Sequence, residues 1–305
     1  MLAVLAPGQG SQSPGMLSPW LEDATVREQI ESWSDISGLD LLHLGTSAGN
    51  DEVRDTAHAQ PLIVATSILT WQLLKDHFNK TALLLAGHSV GEFSAAHFAG
   101  VLSAADAMSL VSSRGEVMAS ASAEIETGMS AVLGGIRDEV ITHLKKLNLE
   151  AANENGAGQI VAAGLVRDLQ KLSEYPPGGC RVRRLEVAGA FHTHYMAPAQ
   201  SRFQEIVLGR EFHDPVSTLL SNQDGMVVNS GSEVMNRLVS QISRPVRWDL
   251  CMKRMEELGV THVVEVAPGG TLVGLIKREL PNVRTCAIKS PSDIESAKEF
   301  LEGAR

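Results

Sequence analysis

Aromatic side chains are scarce in this chain: 7 Phe, 4 Trp and 2 Tyr among 305 residues. So few leave no stacking platform for nucleic-acid bases, and a net charge of −10 argues further against a polyanionic partner. Cysteine is rarer still. Cys180, Cys251 and Cys286 are widely spaced, and none forms a Cys-x-x-Cys metal or redox pattern. An odd count without a framework suggests a reducing compartment. Long apolar runs are missing, since none approaches the ~18 residues that read as a membrane span. The opening residues, 1–8, have no basic region and too short an apolar stretch for a secretion signal. A cytoplasmic location is expected. The glycine-rich stretch 8–16 is no phosphate loop, because it lacks both Gly-Lys-Ser/Thr and Gly-x-Gly-x-x-Gly. His192 and His194 stand two apart with no third ligand cluster nearby, so no metal is expected. No cofactor is expected either.

What is present is an ordinary globular balance, 44% apolar and 20% charged, in a chain long enough for one large domain or two unequal ones. Its organising stretch is 83–92. Leu83, Leu84, Leu85 and Ala86 suit a short buried strand, Gly87-His88-Ser89-Val90-Gly91 turns the chain, and residues 92–99 read as a helix. A serine on a strand-to-helix turn with glycine two residues to either side is a nucleophile elbow. Side chains at Gly87 and Gly91 would collide with the neighbouring strand or helix. The turn lifts the Ser89 hydroxyl out of the sheet. The Val90 amide, at a helix N-terminus, is placed to stabilise an oxyanion. Gln9, between Gly8 and Gly10, offers a backbone or a side-chain amide to a site, although a plain surface loop fits the same residues.

Around this stretch the pattern alternates. Residues 2–6 form a strand, and Pro61 opens a mostly apolar helix over 62–78 with polar Gln60 at its entrance. Ser103 and Asp106 cap a helix running to about residue 121. On that helix Arg114 lies on the apolar stripe with Leu110, Val111, Val117 and Met118. A cation pointed inward needs a partner, either a structural anion or a ligand, and Gly115 leaves room beside it. From 125 to 188 the order is β-α-β-β-α-β, the ferredoxin-like arrangement. Strands and helices then alternate again to a final strand over 284–288, which implies a mostly parallel sheet covered on both faces.

Several segments, in order and spanning nearly the whole chain, together resemble the malonyl-CoA:acyl carrier protein transacylases of fatty-acid synthesis. They are 7–12, Ala59-Gln60-Pro61, Gly87-His88-Ser89-Val90-Gly91-Glu92, Arg114-Gly115 with Met118, 155–164, Gly189-Ala190-Phe191-His192, 245–248 and 265–269. The resemblance implies roles by position. Ser89 matches the acyl-accepting nucleophile and His192, not His194, the general base. Gln9 and Val90 match the oxyanion-hole amides. Arg114 matches the residue that pairs with the malonyl carboxylate, and Gln60, Asn155 and His88 match groups lining the substrate site. Phe191 resembles the malonyl-selective form, whose ring excludes a methyl branch; such a contact is worth only ~1–3 kcal/mol. No carboxylate need orient His192. A backbone carbonyl is implied instead, by position from near Arg247. Ala267 departs from the family's usual glycine, and one methyl there should be tolerated.

The implied fold is α/β: a large α/β-hydrolase-like domain over 1–124 and 189–305, with an inserted ferredoxin-like subdomain over 125–188. The implied reaction is ping-pong transfer of malonyl from malonyl-CoA to the phosphopantetheine thiol of holo acyl carrier protein, by a monomer. An acidic carrier would need a local basic patch. Arg181, Arg183, Arg184, Arg244, Arg247, Lys253 and Arg254 are possible sources, and each also reads as a solvated face. Two alternatives stand beside this reading. A hydrolase or thioesterase shares the elbow, but wants an acid between serine and histidine in chain order. The acids between Ser89 and His192 fall mostly inside the inserted stretch. A non-catalytic docking subunit would have no use for an intact Ser89, His192 and Arg114.

Overall fold

The computed structural model describes residues 1–78, 83–187 and 189–304. Its strands, in chain order, are β1 (Leu2–Ala6), β2 (Leu83–Gly87), β3 (Thr127–Gly134), β4 (Glu150–Gly156), β5 (Gln159–Leu165), β6 (Cys180–Arg184), β7 (Thr218–Leu220), β8 (Val227–Val228), β9 (Val246–Arg247), β10 (His262–Glu265) and β11 (Arg284–Ala287). The larger sheet runs β11-β10-β1-β2-β7-β8. All its pairings are parallel except β7 with β8. β1 and β2 lie centrally and are almost wholly buried, which explains their unbroken apolar sequence.

The smaller sheet runs β6-β3-β5-β4-β9. β3 to β6 are antiparallel, with the helices Arg137–Lys146 and Val166–Glu174 in the expected β-α-β-β-α-β order. β9, which comes from the far end of the chain, adds to this sheet parallel to β4. The small sheet has its own apolar cluster, including Val132, Val140, Leu144, Leu169 and Leu172. Ala188 and Arg305, which bound the expected domains, lie outside the described residues.

Two local expectations are corrected. The helix placed at 62–78 is Thr56–Leu74, and Pro61 sits inside it rather than in its first turn. Asp55 starts it earlier, because its carboxylate accepts from the Ala57 amide at 2.8 Å. Gly115 does not make room for a ligand. A Cβ there would lie 2.9 Å from the Thr56 carbonyl oxygen, so its bareness lets the helix Ala104–Glu124 approach the start of Thr56–Leu74. A final helix, Ile294–Glu302, was not anticipated.

Candidate active site

The elbow forms where β2 gives way to the helix Gly91–Phe98. Ser89 takes a left-handed backbone, φ +53°. Both glycines are sterically required: a Cβ on Gly87 would fall 2.0 Å from Gly91 backbone, and one on Gly91 2.3 Å from the Ala6 carbonyl oxygen. His192 approaches from the return of the chain after the small sheet, also with positive φ, +62°. Its Nε2 lies 2.7 Å from Ser89 Oγ, and both residues are buried.

His192 Nδ1 lies 2.7 Å from the main-chain oxygen of Gln241, and the His192 amide donates to Ile242 O at 3.1 Å. This corrects the expectation near Arg247. The helix Gly231–Gln241 ends here, and carbonyls of a helix's last turn have no intrahelical partner. Arg247 instead pairs with Asp249 at 2.8 Å and reaches Glu154 at 3.5 Å. A carbonyl can only accept, so Nδ1 carries the proton and Nε2 presents its lone pair to Ser89; the tautomer follows from this network. Burial, and then the Arg114 charge, push His192 down to about 3. It is neutral at neutral pH.

Ser89's own amide is used, donating to Asn222 Oδ1 at 2.8 Å. Among the described residues no protein acceptor pairs with the Val90 or Gln9 amide. Gly8 brings Gln9 to the elbow, because a Cβ at Gly8 would meet the His88 carbonyl oxygen at 2.7 Å. The Gln9 side-chain nitrogen donates to Thr56 Oγ1 at 3.1 Å, so it is already engaged while the backbone amide is not.

Arg114 is 1% exposed. Its NH1 donates to Gln60 Oε1 at 2.5 Å and its NH2 to Gln241 Oε1 at 2.9 Å, with Phe93 5.8 Å away beneath the guanidinium. Its Nε has no partner. Burial lowers it to about 10, so it stays charged. Gln241 thus serves Arg114 through its side chain and His192 through its main chain. Its Nε2 in turn donates to Glu92 Oε2. Burial raises Glu92 to about 8, against the Asn222 amide, the Arg114 charge and Gln241.

A cavity of about 240 Å³ is lined by Gln9, Ser89, Arg114, Asn155, Phe191 and His192, among others. His88 lines it too, and its Nε2 lies 2.9 Å from Asn155 Oδ1, a bond between the elbow and β4 across the cleft. The structure therefore brings Ser89, His192, Gln9, Val90, Arg114, Gln60, Asn155, Phe191 and His88 to one place. His194 is exposed and pairs with half-buried Glu150 instead. Among the described residues no group of three or more His, Cys, Asp or Glu side chains is placed to hold a metal. Sequence reasoning missed Gln241, Asn222 and the contacts of Glu92. The only signal for Glu92 was its fixed place after the elbow; the other two carried none.

A nucleophile elbow on a parallel sheet, backed by a histidine and a buried arginine, is acyl-transfer equipment, and the comparisons agree. A family model described as an acyl transferase domain matches residues 4–299, which makes the chain an acyltransferase by class. The Malonyl CoA-acyl carrier protein transacylase of Mycobacterium tuberculosis is 52% identical over 97% of this chain and 98% of its own length. The crystal structure of MCAT from Mycobacterium tuberculosis superposes with a TM-score of 0.93 at 51% identity, covering 97% of this chain and 99% of that one. A malonyl-transacylase solved in complex with a type II PKS acyl-carrier protein superposes with a TM-score of 0.91 at 29% identity, covering 98% and 99%. The chain belongs to the malonyl-CoA:acyl carrier protein transacylase family.

Proposed function

We propose that the chain transfers malonyl from malonyl-CoA to the thiol of holo acyl carrier protein through a malonyl ester on Ser89. The observation that carries this reading is the 2.7 Å pair of Ser89 Oγ and His192 Nε2 in one cavity with a buried, charged Arg114. His192 takes the Ser89 proton as Oγ attacks the thioester carbonyl. The tetrahedral oxyanion sits on the Val90 and Gln9 amides. The C–S bond then breaks, and the CoA sulfur leaves with the proton from His192. The carrier's thiol enters, gives its proton to His192, attacks the ester and regenerates Ser89. Arg114 binds the free carboxylate through paired hydrogen bonds, which aligns the acyl carbonyl with Ser89. That carboxylate also offsets the Arg114 charge, which raises the basicity of His192 once substrate is bound. Phe191 crowds the acyl carbon, Asn155 and His88 complete the wall, and Gln60 supports Arg114 from behind it. A thioesterase reading is disfavoured by the carbonyl, rather than carboxylate, partner of His192.

The strand orders support the finer fold reading: an α/β-hydrolase-like domain over 1–124 and 189–305 carrying a ferredoxin-like subdomain over 125–188. We place the enzyme in the cytoplasm as a monomer, in fatty-acid chain elongation. Intact-mass measurement after incubation with malonyl-CoA is expected to show a single malonyl adduct on Ser89 that a holo carrier protein removes. A chain that stays unmodified, or that only hydrolyses malonyl-CoA, would overturn the proposal.

A further inference from the structure

Arg114 has an unusual setting for a buried cation. Both of its bonded side chains are neutral amides, Gln60 and Gln241. A carboxylate in either place would form an internal ion pair and compete with any acid brought by a substrate. The amides hold the guanidinium in plane without neutralising it. An amide, however, has two faces, and only one suits this task. A guanidinium has donors alone, so Gln241 must present oxygen to it and aim its nitrogen the opposite way. There stands Glu92. Its Oε2 accepts from Gln241 Nε2, and its Oε1 accepts from the Asn222 amide at 2.7 Å. Asn222 is itself fixed, since its Nδ2 donates to Gly87 O at 2.8 Å and its Oδ1 accepts from the Ser89 amide. Each carboxyl oxygen has lone pairs enough for these bonds whether or not Glu92 holds a proton. Glu92, Gln241, Asn222 and Arg114 are all buried, so bulk water does not replace a lost partner.

We propose that Glu92 is a positioning residue for acyl selectivity: by fixing the direction of the Gln241 amide it keeps Arg114 aimed into the cavity and free for a substrate carboxylate. This rests on the reading that Arg114 binds the malonyl carboxylate. Without an acceptor at 92, the Gln241 Nε2 keeps only its longer contacts to Ser89 O at 3.3 Å and Asn222 Oδ1 at 3.4 Å, so the amide loses its shortest anchor and its rotation would turn a donor onto the guanidinium.

The test compares transfer from malonyl-CoA and from acetyl-CoA in Glu92→Gln, Arg114→Ala and the double variant. A glutamine at 92 has one acceptor and one donor group and cannot serve both the Gln241 and Asn222 N–H groups. The expected result is a fall in the malonyl-to-acetyl ratio of kcat/KM by about tenfold in Glu92→Gln, the size of one lost buried hydrogen bond. In the Arg114→Ala background the same change should leave the ratio where Arg114→Ala set it. Glu92→Asp keeps the carboxyl but shortens its reach, and is expected to lower the ratio by about threefold; it carries the test if the glutamine variant does not fold. Equal losses for both substrates, or an undiminished effect without Arg114, would overturn the proposal. A wild-type enzyme that shows no malonyl preference would instead overturn the reading of Arg114 itself.

Discussion

At the scale of single residues, His192 pairs catalytic geometry with a penalty in acid. Burial and the nearby Arg114 charge hold it at about 3 in the folded chain, against 6.5 for an ordinary histidine. Between those values the unfolded chain binds a proton that the folded chain refuses. Stability from this group is therefore full above about pH 6.5 and is lost as the pH falls towards 3, with a slope of up to ~1.4 kcal/mol per pH unit. Urea unfolding of wild type and His192→Gln across that range should show the variant losing less stability in acid. Parallel curves would contradict the assignment. The residues legible in the sequence were those in short, fixed motifs: Ser89, His192 and Arg114. Gln241 was not legible, because its partners Glu92 and Arg114 lie 149 and 127 positions away and nothing local marks it.

Among the elements, Glu265 shows how a strand end builds a helix start. Its carboxylate accepts from the Gly270, Leu272 and Val273 amides at 2.8, 3.0 and 2.9 Å, at the head of the helix Thr271–Glu279. Those are the donors a helix leaves unsatisfied, and a negative charge suits the positive end of its dipole. Glu265→Ala is expected to destabilise the chain by roughly 2–3 kcal/mol, because it strands two buried N–H groups and one half-buried one; thermal or urea unfolding reads this directly. A change under about 0.5 kcal/mol would show that the cap is dispensable. The Glu265–Gly269 motif was legible as a pattern, but its capping work was not. Most strands and helices were legible because apolar spacing carries them; the two-residue strands β8 and β9 were not. The start of Thr56–Leu74 was not, since the proline drew the boundary away from Asp55. Ile294–Glu302 follows the turn Pro291–Asp293, which carries a Ser290 and Asp293 capping box, and buries Ala297 and Leu301, a signal present in the sequence but short.

For the whole molecule, the cavity lies between the two sheets, and their attachment decides how well it excludes water. β9 joins the small sheet beside β4, and buried Glu154 accepts from Arg137 and faces Arg247. The His88–Asn155 bond closes the same seam. Partly exposed ion pairs contribute little to overall stability, on the order of 1 kcal/mol or less. Their effect should appear instead in access to the ester. Glu154→Ala is expected to raise hydrolysis of the malonyl-enzyme relative to transfer by about threefold, measured as free malonate against malonyl carrier protein. An unchanged partition would mean that β9 alone holds the seam. The addition of β9 was invisible in the sequence, because two residues after a proline carry no strand pattern of their own and pair only through long-range placement.

The double duty of Gln241 also bears on how such an enzyme could be redesigned. One position supplies the main-chain oxygen that orients the histidine and the side-chain oxygen that steadies the arginine. A substitution at 241 deletes the side-chain oxygen and spares the main-chain one, so under the proposed roles the arginine's support and the histidine's can be varied separately at one position, while Phe191, which lines the same cavity, offers a second place to change its shape.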